Sequence, residues 1–167
     1  MNAKDRRRAV LQALTQADGP LSASVLAARL SVSRQIIVGD VALLRAKGHG
    51  IDATPRGYVL HGQEPGLLRT IACLHDEAGM ERELLTCVDN GCTVVDVIVE
   101  HPLYGQLAGS LQLSSRYDVE QFIARSAKAS PLSMLTQGVH LHTLRCPSEE
   151  AFRRVCMALE EQGILLK

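Results

Sequence analysis

Gly138-Val139-His140-Leu141-His142-Thr143-Leu144 sets Val139, Leu141 and Thr143 in alternation with His140 and His142, the period of two that belongs to a β-strand. Both imidazoles therefore leave one face of one strand, a spacing at which two nitrogens can converge on a metal ion. The alternative is a pair of polar residues on the wet face of an edge strand, and the pair alone does not decide between them.

Outward from this strand, the second half of the chain alternates between helical and extended patterns. Strands are expected over Leu68–Leu74, Thr93–Val99 and Leu107–Leu113, with extended pieces at Leu132–Leu135 and Ile164–Leu166. Helices are expected over Met80–Val88, stopped by Asn90-Gly91, over Asp118–Lys128 with Asp118 as N-cap, and over Ser148–Gln162 between a Ser148 cap and Gly163. This order suggests an α/β sandwich, a mostly antiparallel sheet with helices on one side.

His75 follows the first of these strands, and Glu83 lies eight residues on, in the adjoining helix. With His140 and His142 they make a candidate set of three imidazoles and one carboxylate. Such a set suits a divalent transition metal (Zn²⁺, Ni²⁺, Fe²⁺ or Mn²⁺) and leaves room for water or a ligand. Taken singly, His75 or Glu83 is equally consistent with a solvated surface residue. His101-Pro102, followed by Leu103-Tyr104-Gly105, reads either as a structural turn or as a residue whose hydrogen bond orients a neighbouring ligand.

The polar connection His61-Gly62-Gln63-Glu64-Pro65-Gly66 separates this domain, 67–167, from a first one, 1–62. There Arg6–Ala17 carries a helical apolar stripe stopped by Asp18-Gly19-Pro20, and Ser22 can cap a short second helix. Ser31-Val32-Ser33 makes a turn into a third helix running to about Lys47. Its Ile37, Val41 and Leu44 share one side. Two helices joined by a three-residue turn match a helix-turn-helix. The two apolar runs around Pro55-Arg56-Gly57 then form a hairpin wing. The predicted architecture is thus α+β, a winged helix-turn-helix followed by the sandwich.

Candidate DNA contacts are Ser33, Arg34 and Gln35 at the start of the third helix, with Arg45 near its end and Arg56 at the wing tip. Arg and Gln are the types that read guanine and adenine edges with two hydrogen bonds. Arg56 and the Arg6-Arg7-Arg8 cluster suit phosphates. Charge favours this reading. Residues 1–60 hold nine Lys/Arg against four Asp, a net of +5, whereas 61–167 hold nine against fourteen Asp/Glu, a net of −5.

Composition narrows the field further. With no Trp, three Tyr and two Phe, aromatic platforms for single strands are not expected. Five cysteines without a Cys-x-x-Cys pair read as thiols of a reducing compartment. No apolar run reaches the length of a membrane span and no signal peptide opens the chain, so a cytoplasmic protein is expected. A water-activating metal enzyme is conceivable, but no nucleophile elbow, phosphate loop or His-Glu-x-x-His motif is present.

Leu26-Ala27, Val32-Ser33-Arg34, Asp40, Leu44-Arg45, Gly48 and Arg56-Gly57-Tyr58 resemble the winged helix that opens biotin repressors and related regulators. From Arg69 onward the chain resembles the three-histidine (3H) domain of niacin-responsive repressors of NAD synthesis. That likeness rests on His75 with Glu83, on His101-Pro102-Leu103-Tyr104-Gly105, on Ser115-Arg116-Tyr117-Asp118-Val119 and on Gly138–Thr143. Ser33–Val38, Asp40 and Leu43–Ala46 are similar to the DNA-reading helix of the same repressors. Val38-Gly39 departs from general winged-helix relatives, many of which carry a polar residue and Arg there. The resemblance implies a non-enzymatic homodimer that binds operator DNA, with nicotinic acid as co-repressor. It also implies a divalent ion, nickel or zinc foremost, at His75, Glu83, His140 and His142. Effector contacts are then expected from His101, Tyr104 and Arg116. The competing expectation is a repressor for which the metal ion itself is the signal.

Overall fold

The structure is a computed structural model that describes residues 1–61, 66–132 and 136–167. It divides into two compact units, Met1–Glu64 and Pro65–Lys167, and each has its own buried core.

The first unit holds α1 (Ala3–Thr15), α2 (Ala23–Leu30), α3 (Arg34–Ala46), β1 (Ile51–Thr54) and β2 (Gly57–Leu60). Side-chain caps fix all three helix starts: Asn2, Ser22 and Ser33 accept from the backbone N–H three residues on. Helix α1 begins three residues before the apolar stripe does because Asn2 offers that cap. Ser31 makes the turn between α2 and α3 with φ +54°. Val10, Leu14, Leu26, Ile37, Val41, Leu44 and Ile51 fill the core. The antiparallel β1–β2 wing folds back on the loop before α2 through a Leu21–Tyr58 bridge. Gly57 is needed at that contact: at φ +140°, a Cβ there would stand 2.5 Å from the Leu21 carbonyl carbon.

The second unit holds β3 (Leu67–Leu74), α4 (Gly79–Asp89), β4 (Thr93–His101), β5 (Gly105–Leu113), α5 (Arg116–Ser126), β6 (Val139–Cys146) and α6 (Glu149–Glu161). Its four strands make one antiparallel sheet in the order β3-β6-β4-β5. Leu84, Cys87 and Val88 of α4, Val119 of α5 and Ala151, Val155 and Leu159 of α6 pack with one set of alternate strand residues, Ile71, Cys73, Val94, Leu111, Leu113, Leu144 and Cys146. The helices therefore cover one face of the sheet.

Three expectations need correction. Strand β6 is an inner strand, not an edge, so residues on its helix-covered side are shielded. Helix α5 starts at Arg116 with Ser115 as its cap; Asp118, expected as the cap, lies in the first turn and accepts from the N–H and the hydroxyl of Ser114. The last extended piece is one bridge, Cys73 to Leu165, flanked by Leu74 N–H to the Ile164 carbonyl and Leu166 N–H to the Ala72 carbonyl, both 2.9 Å. The extended piece expected at 132–135 lies, apart from Leu132, outside the described residues. Among the described residues no helix is long and apolar enough to cross a membrane.

Candidate metal centre and DNA-reading helix

The register of β3 against β6 sets Cys73 opposite His140 and Ile71 opposite His142, so all four side chains face α4. Glu83, in the second turn of α4, enters the same space. Glu83, His140 and His142 are only 1–3 % exposed, so the wet-face alternative does not hold. His75, one residue past β3, closes the group. Its Nε2 lies 2.6 Å from Glu83 Oε2, His140 Nε2 lies 3.0 Å from Oε1, and His142 Nε2 lies 3.4 Å from Oε2. The four residues singled out from the sequence thus meet at one carboxylate.

The other ring nitrogens orient the cluster. His75 Nδ1 faces the Asp76 carbonyl at 2.5 Å, His140 Nδ1 the Gly138 carbonyl at 2.8 Å, and His142 Nδ1 the Asp96 carbonyl at 2.6 Å. A carbonyl oxygen only accepts, so each Nδ1 carries the ring hydrogen. In a neutral ring the Nε2 lone pair is then aimed at Glu83. Three lone pairs and a carboxylate in one dry space require positive charge between them, either as protons on Nε2 or as a cation.

Electrostatics follow the same logic. Burial alone would raise the Glu83 carboxyl, but the charge of His142 and hydrogen bonds from His140, His142 and His75 hold it well below its usual range. For His75 and His142, burial works to lower the pKa, yet Glu83 outweighs it and both are raised above 6.5.

The backbone is shaped around these rings. A Cβ on Gly79, at the start of α4, would lie 2.6 Å from His75 Cβ. Gly138 has φ +94°, and a Cβ there would lie 2.2 Å from the His75 carbonyl oxygen. A register shift in β4 between Val94 and Ile98 frees Asp96: its carbonyl accepts from His142, and its carboxylate accepts the Thr143 N–H at 2.9 Å.

Cys73 and Asp96 are site residues that the sequence reading missed. Cys73 shares the strand face of His75, and a ligand atom from each of Cys73, Glu83 and His140 lies within 4.8 Å of the others. Burial, then Glu83, pushes its thiol pKa far up. Asp96 is a lone acid in a β-branched run, a signal that something must satisfy it.

The expected effector residues fare differently. His101 Nδ1 accepts from the N–H groups of Leu103 (3.1 Å) and Tyr104 (3.3 Å), which makes it the brace of the β4–β5 turn. Because Ile98 faces Leu141, Val99 lies beside His140, and alternation carries His101 onward along that side. Tyr104 is 68 % exposed, with its ring centroid 5.0 Å from that of His101. Arg116 is not part of the cluster. It forms a two-pronged pair with Asp89 at 2.7 and 2.6 Å, at the end of α4 away from His75.

In the first unit, Arg34 and Gln35 are exposed in the first turn of α3, free to reach a groove. Ser33 caps that turn with its hydroxyl. Arg45 is exposed eleven residues on, roughly 16 Å along the axis, a position suited to a phosphate. Arg56 is half-buried in the wing turn. The Arg6-Arg7-Arg8 cluster needs correction. Arg6 and Arg7 bind the buried Asp40 carboxylate, at 2.5 and 3.2 Å and at 3.3 Å, and so fasten α1 to α3; Arg8 is exposed, 3.6 Å from Asp5.

A family model described as "3H domain" matches residues 68–167, and one described as "HTH domain" matches residues 6–59. The chain is 43 % identical over 166 residues to "Probable transcription repressor NiaR" of Thermotoga maritima (98 % of this chain, 95 % of that one). It is 46 % identical over 169 residues to "Transcription repressor NadR" of Bacillus subtilis (98 % and 94 %). Both relatives carry the name of a transcription repressor and match nearly the whole chain, which speaks against the enzyme alternative. The chain belongs to the family of transcription repressors that join an N-terminal helix-turn-helix to a 3H domain.

Proposed function

We propose that this repressor carries a divalent transition metal at His75, Glu83, His140 and His142, binds operator DNA as a homodimer in response to nicotinic acid, and controls genes of NAD biosynthesis or niacin uptake in the cytoplasm. The observation that carries the metal reading is the aim of three Nε2 atoms at one buried carboxylate, with each Nδ1 fixed by a backbone carbonyl. A proton on every Nε2 would put three imidazoliums against one carboxylate, a net +2 in a buried space. One divalent ion with three neutral rings leaves +1, and a carboxylate ligand would cancel it. The donor set therefore fits nickel or zinc, with iron and manganese also compatible.

When bound, the ion supplies an electrophilic position for a carboxylate oxygen or a pyridine nitrogen. The chain's own part is to orient the rings, to exclude water, and to offer the His101–Tyr104 turn on the same side of β4. Nicotinic acid fits that chemistry and is the effector the family resemblance implies; nicotinamide, without the charge, should bind less well. The uncovered face of the sheet supports the dimer: Leu68, Leu74 and Val139 are 57, 41 and 42 % exposed, with Leu74 and Val139 side by side in register. A second copy is the partner that would cover them.

The test combines metal analysis of the purified protein, calorimetry of nicotinate with metal-loaded and chelator-treated protein, and operator binding with and without nicotinate. The reading expects bound metal, lost in His140→Ala and His142→Ala, and nicotinate affinity that falls with the metal. By linkage, nicotinate and operator must tighten each other's binding by one common factor. Full metal occupancy in both variants would sink the ligand set. No effect of nicotinate on the operator would leave the metal ion as the signal.

A further inference from the structure

Helix α3 buries Ile37, Asp40, Val41 and Leu44. Its opposite side exposes Gln35, Ile36, Gly39 and Leu43, and Arg34 is exposed where the helix begins. Two features of that outward side are not explained by contacts among the described residues.

One is Gly39. A glycine in mid-helix is less favourable than alanine, because it gives up more backbone freedom on folding. Where a fold requires glycine, a neighbour occupies the space of the missing Cβ, as it does at Gly57, Gly79 and Gly138. At Gly39 a Cβ would meet nothing within 4 Å, and the backbone is ordinary α-helix. No contact among the described residues therefore requires glycine at this position.

The other is Ile36, 41 % exposed, in the first turn beside Arg34 and Gln35. Gly39 is the i+4 neighbour of Gln35 and the i+3 neighbour of Ile36, so it sits one turn behind the two side chains that lead into a groove. In a helix-turn-helix, the N-terminal part of the recognition helix is the part that enters the major groove. The apolar feature on the major-groove edge of a base pair is the thymine methyl group.

We propose that Gly39 is the closest approach of α3 to the floor of the major groove, and that Ile36 reads a thymine methyl beside it. The glycine lets the helix backbone sink toward the base edges. This brings the short Ile36 side chain into contact with a methyl group while Arg34 and Gln35 reach neighbouring bases.

The test uses the full-length protein and an operator selected by it from a random duplex pool. Gly39→Ala should raise the melting temperature of the first unit by roughly 2–8 °C and weaken operator binding at least about fivefold, two changes of opposite sign. Replacing each operator thymine in turn by deoxyuracil should locate a position that costs the unaltered protein about fourfold, the worth of one buried methyl, and costs Ile36→Ala nothing further. Operator affinity within twofold of normal for Gly39→Ala would overturn the close approach. So would a lowered melting temperature, which would place the need for glycine inside the fold. Absence of any thymine sensitive in the unaltered protein and insensitive in Ile36→Ala would overturn the methyl contact.

Discussion

Glu83→Gln is the most informative single change in the second unit, because it keeps the shape of the side chain and removes the charge on which three imidazoles converge. In chelator, the carboxylate accepts from as many as three Nε2–H groups at 2.6–3.4 Å. The amide has one acceptor oxygen, and its NH₂ faces a ring N–H donor to donor. Removing one partner of a buried charged set costs about 3–5 kcal/mol, and Glu83 is 1 % exposed, so solvent screening does not discount that figure. For a unit of the size of Pro65–Lys167 this lowers the melting temperature by at least about 12 °C. The sign with pH is fixed by the raised values of His75 and His142. Their share of the stability is complete below 6.5 and is lost as pH rises through the raised values, while that of Glu83, held low, is complete above 4.5 and is lost only as pH falls below it. The penalty should therefore be full near pH 6 and smaller at an alkaline pH beyond those raised values, where neutral rings can accept from the amide. Calorimetric melting of the full chain at both pH values, in chelator, decides it. Equal shifts at the two pH values, or a shift of under about 3 °C at pH 6, would refute the account of a charge-centred cluster.

Gly138→Ala forces a Cβ onto the His75 carbonyl at a left-handed φ, so it should cost about 3 kcal/mol or more and lower metal content, read together by melting and metal analysis. Asp40→Asn should lower the melting temperature of the first unit, since it takes the charge from the carboxylate that holds Arg6 and Arg7, whereas Arg8→Ala, an exposed change, should stay within about 0.5 kcal/mol. Arg34→Ala and Gln35→Ala should each weaken specific operator binding by roughly 1–3 kcal/mol. Arg56→Ala should instead weaken specific and random duplexes alike and flatten the salt dependence; equal losses on both duplexes for Arg34→Ala would put the reading register elsewhere. Leu74→Asp should shift the solution mass from dimer to monomer by light scattering, and an unchanged mass would move the dimer contact off the open sheet face.

Elements were legible wherever local chemistry alone decides them. Ser22, Ser33 and Ser148 are caps both by pattern and by hydrogen bond, and Asn90-Gly91 and Gly163 stop helices as expected. Asp118 shows the limit. Serine and aspartate three residues apart can each cap, and the choice of Ser115 leaves Asp118 to satisfy Ser114, a result of which residue reaches which N–H. Arg6 and Arg7 mislead for a related reason. A basic cluster has one appearance in sequence, but a single buried acid 33 or 34 residues away turns two of its members inward.

The clustering of these four side chains was legible and its scaffold was not, and the difference is physical. Donor chemistry limits a metal site to a few residue types, so His140 and His142 on one strand, with His75 and Glu83, could be singled out by type and spacing. The parts that aim them act through the backbone or through contact, and neither depends strongly on residue type. Asp76, Gly138 and Asp96 contribute carbonyl oxygens, which every residue possesses. Gly79 and Gly138 contribute the absence of a Cβ, meaningful only once His75 is seen against them. Cys73 could have been found, since period two puts it on the face of His75, and register then sets it opposite His140. Asp96 marks the hardest case. An acid among Val94, Val95 and Val97 announces a buried partner, but the partner is a strand neighbour 46 or 47 positions away, and the register shift that frees its carbonyl belongs to the pairing of β4 with β6 and to neither strand alone.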